Sequence, residues 1–387
     1  MNVTKDILYV GVNDREIDLF EGQYIVPEGM SYNSYVILDE RVAVMDSVDA
    51  RFGEEWIGNI RAVLGDRTPD YLVVHHMEPD HSGSIMLFAQ AFPQAVIVAT
   101  DRAFQMMRQF FGEGFEDRRL AVGEGGSLSL GRHELVFMTA PMVHWPEVAM
   151  SFDRKDKVLF SADAFGKFGA LDAEEDWACE ARRYYFGIVG KYGRQVQAVL
   201  KKASGLEIEA ICPLHGPVLK EDLSYYLSLY DTWSSYKPEE EGVMIAYTSV
   251  YGNTEKAVLL LEEKLKEYGC TKVVVNDLAR CDMAEAVEDA FRYSKLVLAT
   301  TTYNGDIFPF MRSFLDHLTE RGFGGRTVAM MENGSWAPVA AKVMRGMLEK
   351  SPNLSFTESH VRILSAMTEQ NREEVDALAK ELIGMIG

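Results

Sequence analysis

His75-His76-Met77-Glu78-Pro79-Asp80-His81-Ser82-Gly83 follows directly on the apolar run Leu72-Val73-Val74. Such a run closed by a turn reads as a buried strand, so the polar stretch leaves a strand end. Four potential metal ligands, His76, Glu78, Asp80 and His81, fall within six residues. In an extended segment every second side chain points the same way, which groups His76, Glu78 and Asp80, and Pro79 restricts Glu78 to that conformation. A helix opening at Ser82-Gly83 then swings His81 toward a second metal. A random cluster of His, Asp and Glu is more often a solvated loop; the spacing here favours a metal. His75 faces away from His76 and reads as structural.

A dinuclear site needs more than four protein groups, and three further candidates stand after apolar strands. His144 opens HWPEVAM, Asp163 lies in FSADAFG after Val158-Leu159-Phe160, and His215 lies in CPLHGP after Ile208 to Cys212. A lone histidine after a strand is usually a hydrogen-bonded structural residue. Their shared position is what raises these three.

The rest of the chain agrees with a folded enzyme of two domains. It has 387 residues, 47% of them hydrophobic and 25% charged, which excludes intrinsic disorder. A net charge of −20 opposes binding to nucleic acid and to anionic membranes. No apolar run approaches the roughly 18 residues that span a bilayer, and Met1 to Arg15 lacks a signal-peptide pattern, so a cytoplasmic location is expected. Cys179, Cys212, Cys270 and Cys281 form no Cys-x-x-Cys pair and read as buried free thiols. Periodicity is lost over Asp231 to Glu241, around Pro238 and three successive glutamates, which puts a domain boundary near residue 240.

Before that boundary the chain reads as α+β: a hairpin of Ser34 to Leu38 with Val42 to Met45, helices over Glu54 to Leu64 and Gly83 to Phe92, then strands over Ser127 to Leu130 and His133 to Met138. After it, five strands alternate with helices, ending in a strand over Ser355 to Leu364 and a helix over Glu369 to Met385; this is the α/β pattern of a doubly wound five-stranded parallel sheet. Gly269 and Gly322 read as helix terminators.

The first strand of that sheet runs into Thr248-Ser249-Val250-Tyr251-Gly252-Asn253-Thr254, where hydroxyls and backbone N–H groups at a helix N-terminus make an anion cradle. No P-loop lysine and no G-x-G-x-x-G is present, so a nucleoside triphosphate and a dinucleotide are both disfavoured. Two more loops belong at the carboxyl ends of the third and fourth strands: Thr300-Thr301-Thr302-Tyr303-Asn304-Gly305 and Asn333-Gly334-Ser335-Trp336. Tyr303 and Trp336 are placed to flank a flat ring, although a loop aromatic is as often a packing residue.

The order His-x-Glu-x-Asp-His, then His, Asp and His, resembles the metallo-β-lactamase superfamily with Glu78 in place of its second histidine. Together with SYNSY, HMEPDHSG, HWPE, ADAFG and LHGP it is similar to the flavodiiron proteins, or A-type flavoproteins, over essentially the whole chain. The Thr248 to Thr254 loop resembles the flavodoxin phosphate loop, which binds FMN. The resemblance implies a metallo-β-lactamase-like αββα sandwich over 1–240 and a flavodoxin-like FMN domain over 241–387. One iron would take His76, Glu78 and His144 and the other Asp80, His81 and His215, with Asp163 and an oxo or hydroxo group as bridges. Nitrogen and oxygen donors without thiolate suit iron better than copper(I), and zinc stays open. Tyr24 is a candidate for a hydroxyl behind the ligands, with packing as its other reading.

The implied activity is reduction of O2 to water, of nitric oxide to nitrous oxide, or of both, with FMN relaying electrons from rubredoxin or a similar donor. A head-to-tail homodimer, or a dimer of dimers, is implied as well. A hydrolase has no use for a fused electron carrier, which argues for a reductase. The alternative is a β-lactamase-like zinc hydrolase with a regulatory flavin domain.

Overall fold

The computed structural model describes residues 2–174 and 176–384. They form two compact units, Met1–Asp231 and Thr232–Gly387. The division falls ahead of residue 240 because the loop after the helix Leu223–Ser234 is bonded into the second unit. There Arg326 Nη1 donates to the Tyr236 carbonyl at 2.6 Å, and Glu239 N donates to the Arg292 carbonyl at 2.9 Å.

In the first unit a six-stranded sheet has the order Ile7–Tyr9, Tyr35–Ile37, Ala43–Met45, Tyr71–Val73, Val96–Ala99, Arg119–Ala121. A five-stranded sheet has the order Ser127–Ser129, Glu134–Thr139, Ala149–Asp153, Val158–Phe160, Ala210–Cys212. Tyr35, Ile37, Met45 and Val73 of the first sheet share one core with Leu135, Phe137, Val158 and Phe160 of the second. The opposite face of the first sheet is buried too, through Val36, Val44 and Leu72, and the helix Gly53–Leu64 buries Trp56, Ile57 and Ile60. Helices outside a two-sheet sandwich is the expected αββα architecture.

Strand direction is what gathers the site. Tyr71–Val73 runs parallel to both Ala43–Met45 and Val96–Ala99, and Val158–Phe160 runs parallel to Ala210–Cys212. Parallel neighbours release their following residues at the same edge of a sheet. Asp46, His75 to His81, Asp163 and His215 all follow such strand ends.

The local conformation of the opening motif differs from the expected one. The helix starts at Pro79 rather than after Ser82, over Pro79–Ser82, with Glu78 as its extended N-cap. Proline suits the first helical turn because its missing N–H is not needed there. Asp80 therefore sits on a helix and turns away from Glu78, toward His81.

The second unit has the strand order Val273–Asp277, Glu240–Tyr247, Tyr293–Tyr303, Thr327–Asn333, all parallel, with a fifth position at the edge. That position holds two short pieces, Ser355–Phe356 and Val361–Ile363, rather than the continuous strand expected over Ser355 to Leu364. The sheet is nonetheless the doubly wound five-position type, with the helices Asn253–Glu267 and Glu369–Leu382 burying Val258, Leu261, Val375 and Leu378 on one face. Met385, the expected end of the last helix, lies outside the described residues. Gly269 and Gly322 adopt φ of 90° and 78° just after helices, the left-handed conformation that stops them. Of the cysteines only Cys212 is buried; Cys179, Cys270 and Cys281 are half-buried, and no disulfide joins any of them.

Candidate metal centre and cofactor cavity

All seven candidate ligands are buried, and they converge as two groups. His76, Glu78, His144 and Asp163 form one; Asp80, His81 and His215 form the other, each group with donor atoms within 4.8 Å of one another. In the first, His144 Nε2 lies 3.0 Å from both Glu78 Oε2 and Asp163 Oδ2, and His76 Nε2 lies 3.3 Å from the same two oxygens. In the second, His81 Nε2 lies 3.3 Å from Asp80 Oδ2 and 2.9 Å from His215 Nε2. Asp163 reaches the second group through its other oxygen, Oδ1, at 3.3 Å from His81. One carboxylate thus faces both groups.

These residues fit a pair of metal ions. Metal–ligand bonds of about 2.1 Å place adjacent donors about 3.0 to 3.4 Å apart, which is the spacing found. Two pairs of imidazole nitrogens also face each other, His81 with His215 at 2.9 Å and His76 with His144 at 3.3 Å, the approach expected of donors that share a metal. Both carboxylate oxygens of Asp80 and of Asp163 are buried and accept no hydrogen bond among the described residues, an arrangement that is costly without a cation. Burial works against charge on each group, yet mutual attraction prevails. Asp163 and Glu78 push His144 up to about 9, and the imidazoles hold both carboxyls below the usual carboxylate range.

The surroundings hold several residues that sequence reasoning missed. Glu147 Oε1 accepts from His76 Nδ1 at 2.8 Å and from Met77 N at 2.9 Å. His215 Nδ1 lies 2.7 Å from the Ser31 carbonyl. Tyr184 is fully buried 5.5 Å from His215, ring to ring, and its hydroxyl has no hydrogen-bond partner among the described residues. Burial, then the charges of Asp163, Glu78 and Asp80, push that phenol well above its ordinary range, so it keeps its proton. Glu21, an exposed residue at the turn between Leu19–Phe20 and Tyr24–Ile25, has its carboxyl pushed up to about 7 by partial desolvation against the protein and by Glu78. Tyr24 is not turned to the ligands: its hydroxyl donates to the Gly187 carbonyl at 2.8 Å and its ring packs on Phe168, which is the packing reading. His75 bridges the two sheets, with Nδ1 at Asp46 (2.5 Å) and Nε2 at Ser151 Oγ (2.8 Å), all three buried.

Only HWPE carried a signal for Glu147, since it follows His144 in the same loop. Its partner His76 is 71 residues away, and no spacing rule connects them.

In the second unit a cavity of about 550 Å³ is lined by Ser249, Val250, Tyr251, Asn253 and Thr254 from the first loop, by Thr301 to Gly305 from the second, and by Asn333 to Trp336 from the third. The remaining expected residues support it. Thr248 and Thr300 are buried below and bond to each other at 2.6 Å, and Gly252, at φ 82°, precedes the helix Asn253–Glu267 whose N-terminus opens on the cavity. Ser249 Oγ accepts from Gly252 N at 3.1 Å, which shapes the cradle. Asn304-Gly305 form the two-residue turn of a hairpin between Thr302-Tyr303 and Asp306–Ile307, both at positive φ. Trp336 is 83% exposed and is not a packing residue, whereas Tyr303 is 43% exposed and packs edge-on against Phe308 at 5.2 Å; Tyr251, in the first loop, is 91% exposed. Ala337 and Ser365 also line the cavity without having been expected; Ser365 arrives from beyond the last strand and bonds Ser335 Oγ at 2.7 Å. A helix N-terminus, a hydroxyl-rich loop and exposed aromatics from the surrounding loops fit a flat-ringed monophosphate.

Among the described residues no helix is long and apolar enough to cross a membrane.

Comparison with known proteins identifies what the chain is similar to. Residues 30–216 match the family model described as ODP family beta lactamase. A nitric oxide reductase of Moorella thermoacetica is 29% identical over 82% of this chain and 81% of its own length. An anaerobic nitric oxide reductase flavorubredoxin of Vibrio vulnificus is 27% identical over 87% of this chain and 70% of its own. Among solved structures, the flavodiiron protein of Giardia intestinalis superposes with a TM-score of 0.89 at 26% identity, covering 99% of this chain and 96% of that one. Rubredoxin oxygen:oxidoreductase of Desulfovibrio gigas has the same fold, with a TM-score of 0.91 at 24% identity over 100% and 98% of the two chains.

Proposed function

We propose that the chain is a flavodiiron protein, an oxidoreductase that reduces O2 to water, nitric oxide to nitrous oxide, or both. The observation that carries the reading is the pair of residue groups joined by the two oxygens of Asp163, in a chain that also holds a hydroxyl-rich cavity at a helix N-terminus of a doubly wound sheet. When bound, two irons supply Lewis acidity and electrons for the diatomic, and FMN supplies the electrons that restore them.

The protein's own contribution is placement and protonation. His76, Glu78 and His144 would hold one metal, Asp80, His81 and His215 the other, with Asp163 across both. Phe20, Tyr32 and Tyr184 pack around His215 and keep bulk water from that side. The Tyr184 hydroxyl keeps its proton among carboxylates and offers a hydrogen bond to a ligand in the site. In the second unit Ser249 and the N-terminus of Asn253–Glu267 would hold the FMN phosphate, with Tyr303 and Trp336 beside the ring. A rubredoxin-like carrier is the proposed donor, and a head-to-tail homodimer the proposed assembly.

Anaerobic single-turnover of the fully reduced protein with O2 and with NO, followed by flavin absorbance and gas consumption, tests this. Rapid flavin reoxidation by at least one gas is expected. Unchanged rates in both Asp80→Ala and His144→Ala would overturn the assigned centre.

A further inference from the structure

We propose that Glu147 is a positioning residue that makes the half-site of His76, Glu78 and His144 the tighter of the two metal-binding halves, the one that fills first. The inference rests on the reading of the cluster as a metal centre and adds an order to it.

The two halves are backed differently. His76 gives its Nδ1 proton to a buried carboxylate, whereas His215 gives its own to the neutral Ser31 carbonyl. His81 Nδ1 is buried with no hydrogen-bond partner among the described residues. A carboxylate behind an imidazole fixes the tautomer, aims the far nitrogen and makes it a stronger donor; a carbonyl does the first two with no added charge. Of the two half-sites, the first therefore holds the preoriented, electron-rich histidine.

Glu147 also ties that half together mechanically. It sits three residues after His144 in the same loop, so one side chain connects the loop bearing His144 to the strand end bearing His76. Thr100 Oγ1 anchors the Glu147 carbonyl at 3.1 Å. The Trp145 ring, from the same loop, stands edge-on to His76 at 5.3 Å. Among the described residues the other half has no such crosspiece: Asp80 and His81 ride on the four-residue helix Pro79–Ser82, and His215 comes from a separate strand end.

Charge favours the same order. Glu78, Glu147 and one oxygen of Asp163 surround the first position. Asp80 and the other oxygen of Asp163 surround the second, and the Asp163 contact lengthens to 3.8 Å at His215.

The test is anaerobic titration of the metal-stripped full-length protein with Co(II), read by its visible ligand-field bands in competition with a chelator. Two separated binding steps are expected. His81→Ala should weaken only the second step and His144→Ala only the first. Glu147→Gln should weaken the first step by about 10- to 100-fold and leave the second nearly unchanged. Equal weakening of both steps in Glu147→Gln, no change in either, or loss of the tight step in His81→Ala would each overturn the proposal. Should Glu147→Gln fail to fold, the two histidine variants decide the order alone. A wild-type chain that binds no Co(II) would overturn the metal reading itself.

Discussion

Tyr184 has a buried hydroxyl with no partner among the described residues, which is a cost to folding unless function uses it. Tyr184→Phe removes that cost and keeps the ring that packs on Phe168 and His215. The melting temperature should stay level or rise, while single-turnover reduction of the diatomic should slow by about 10²-fold, the usual loss for a donor aimed at developing charge. A variant that melts lower with full activity would show the hydroxyl to be structural. At this scale the residues that cluster were more legible in the sequence than the residues that support them. His76 to His81 were legible because four donors lie within one turn of chain, and His144, Asp163 and His215 because each follows an apolar strand. Tyr184, Glu147 and Asp46 were hidden, since each acts on a partner brought near only by the two-sheet packing.

At the scale of elements, the short helix Pro79–Ser82 depends on the glycine that closes it. A Cβ on Gly83 would stand 2.6 Å from the Pro79 carbonyl oxygen and 2.8 Å from Ala50 N, both backbone atoms that cannot swing aside. Gly83→Ala should cost about 1 to 3 kcal/mol in overpacking. Because the helix carries Asp80 and His81, bound metal per chain should fall as well, which elemental analysis checks. A second element-level device is the buried His133 at the head of the strand Glu134–Thr139, where its backbone N–H donates to Asp39 across the sandwich. Burial opposes its charge, but Asp153 and Asp156 outweigh burial and Lys155 and lift it above 6.5. A raised folded-state value stabilises fully below the unfolded value and is lost as pH rises through the folded one. The stability advantage of wild type over His133→Gln should therefore be larger at about pH 6 than at about pH 9, measured by urea unfolding; an advantage that grows with pH would refute it. Long periodic segments were legible here, but the start of Pro79–Ser82 was not, because two cues compete at Glu78-Pro79: proline forces its predecessor to be extended, and it also begins helices well.

For the whole molecule, two compact units imply two separable unfolding events. Removing metal by chelation should lower only the transition of the unit that holds Asp80 and Asp163, whose carboxylates lose their partner, and removing FMN should lower only the other. Calorimetry of the holo, metal-free and flavin-free chains checks this; a single transition shifted by both treatments would contradict it. The charge of −20 bears on the donor: an acidic carrier should reduce the flavin more slowly as ionic strength falls, by stopped-flow, if repulsion governs the encounter. The chain division itself was visible as a break in periodicity near Pro238, though its position depended on Arg326 and Arg292 reaching back to the connecting loop. The broken fifth strand has a further consequence. An unbroken edge strand in a parallel sheet offers a row of free amides on which other chains can stack into fibrils. Here the row is interrupted, and at the gap Glu381 accepts the amides of Glu358 and Ser359 at 2.7 and 2.8 Å. The edge is thereby occupied by the protein's own last helix, a safeguard against cross-β aggregation in a unit whose interior strands carry the apolar runs Val243 to Tyr247 and Val328 to Met331.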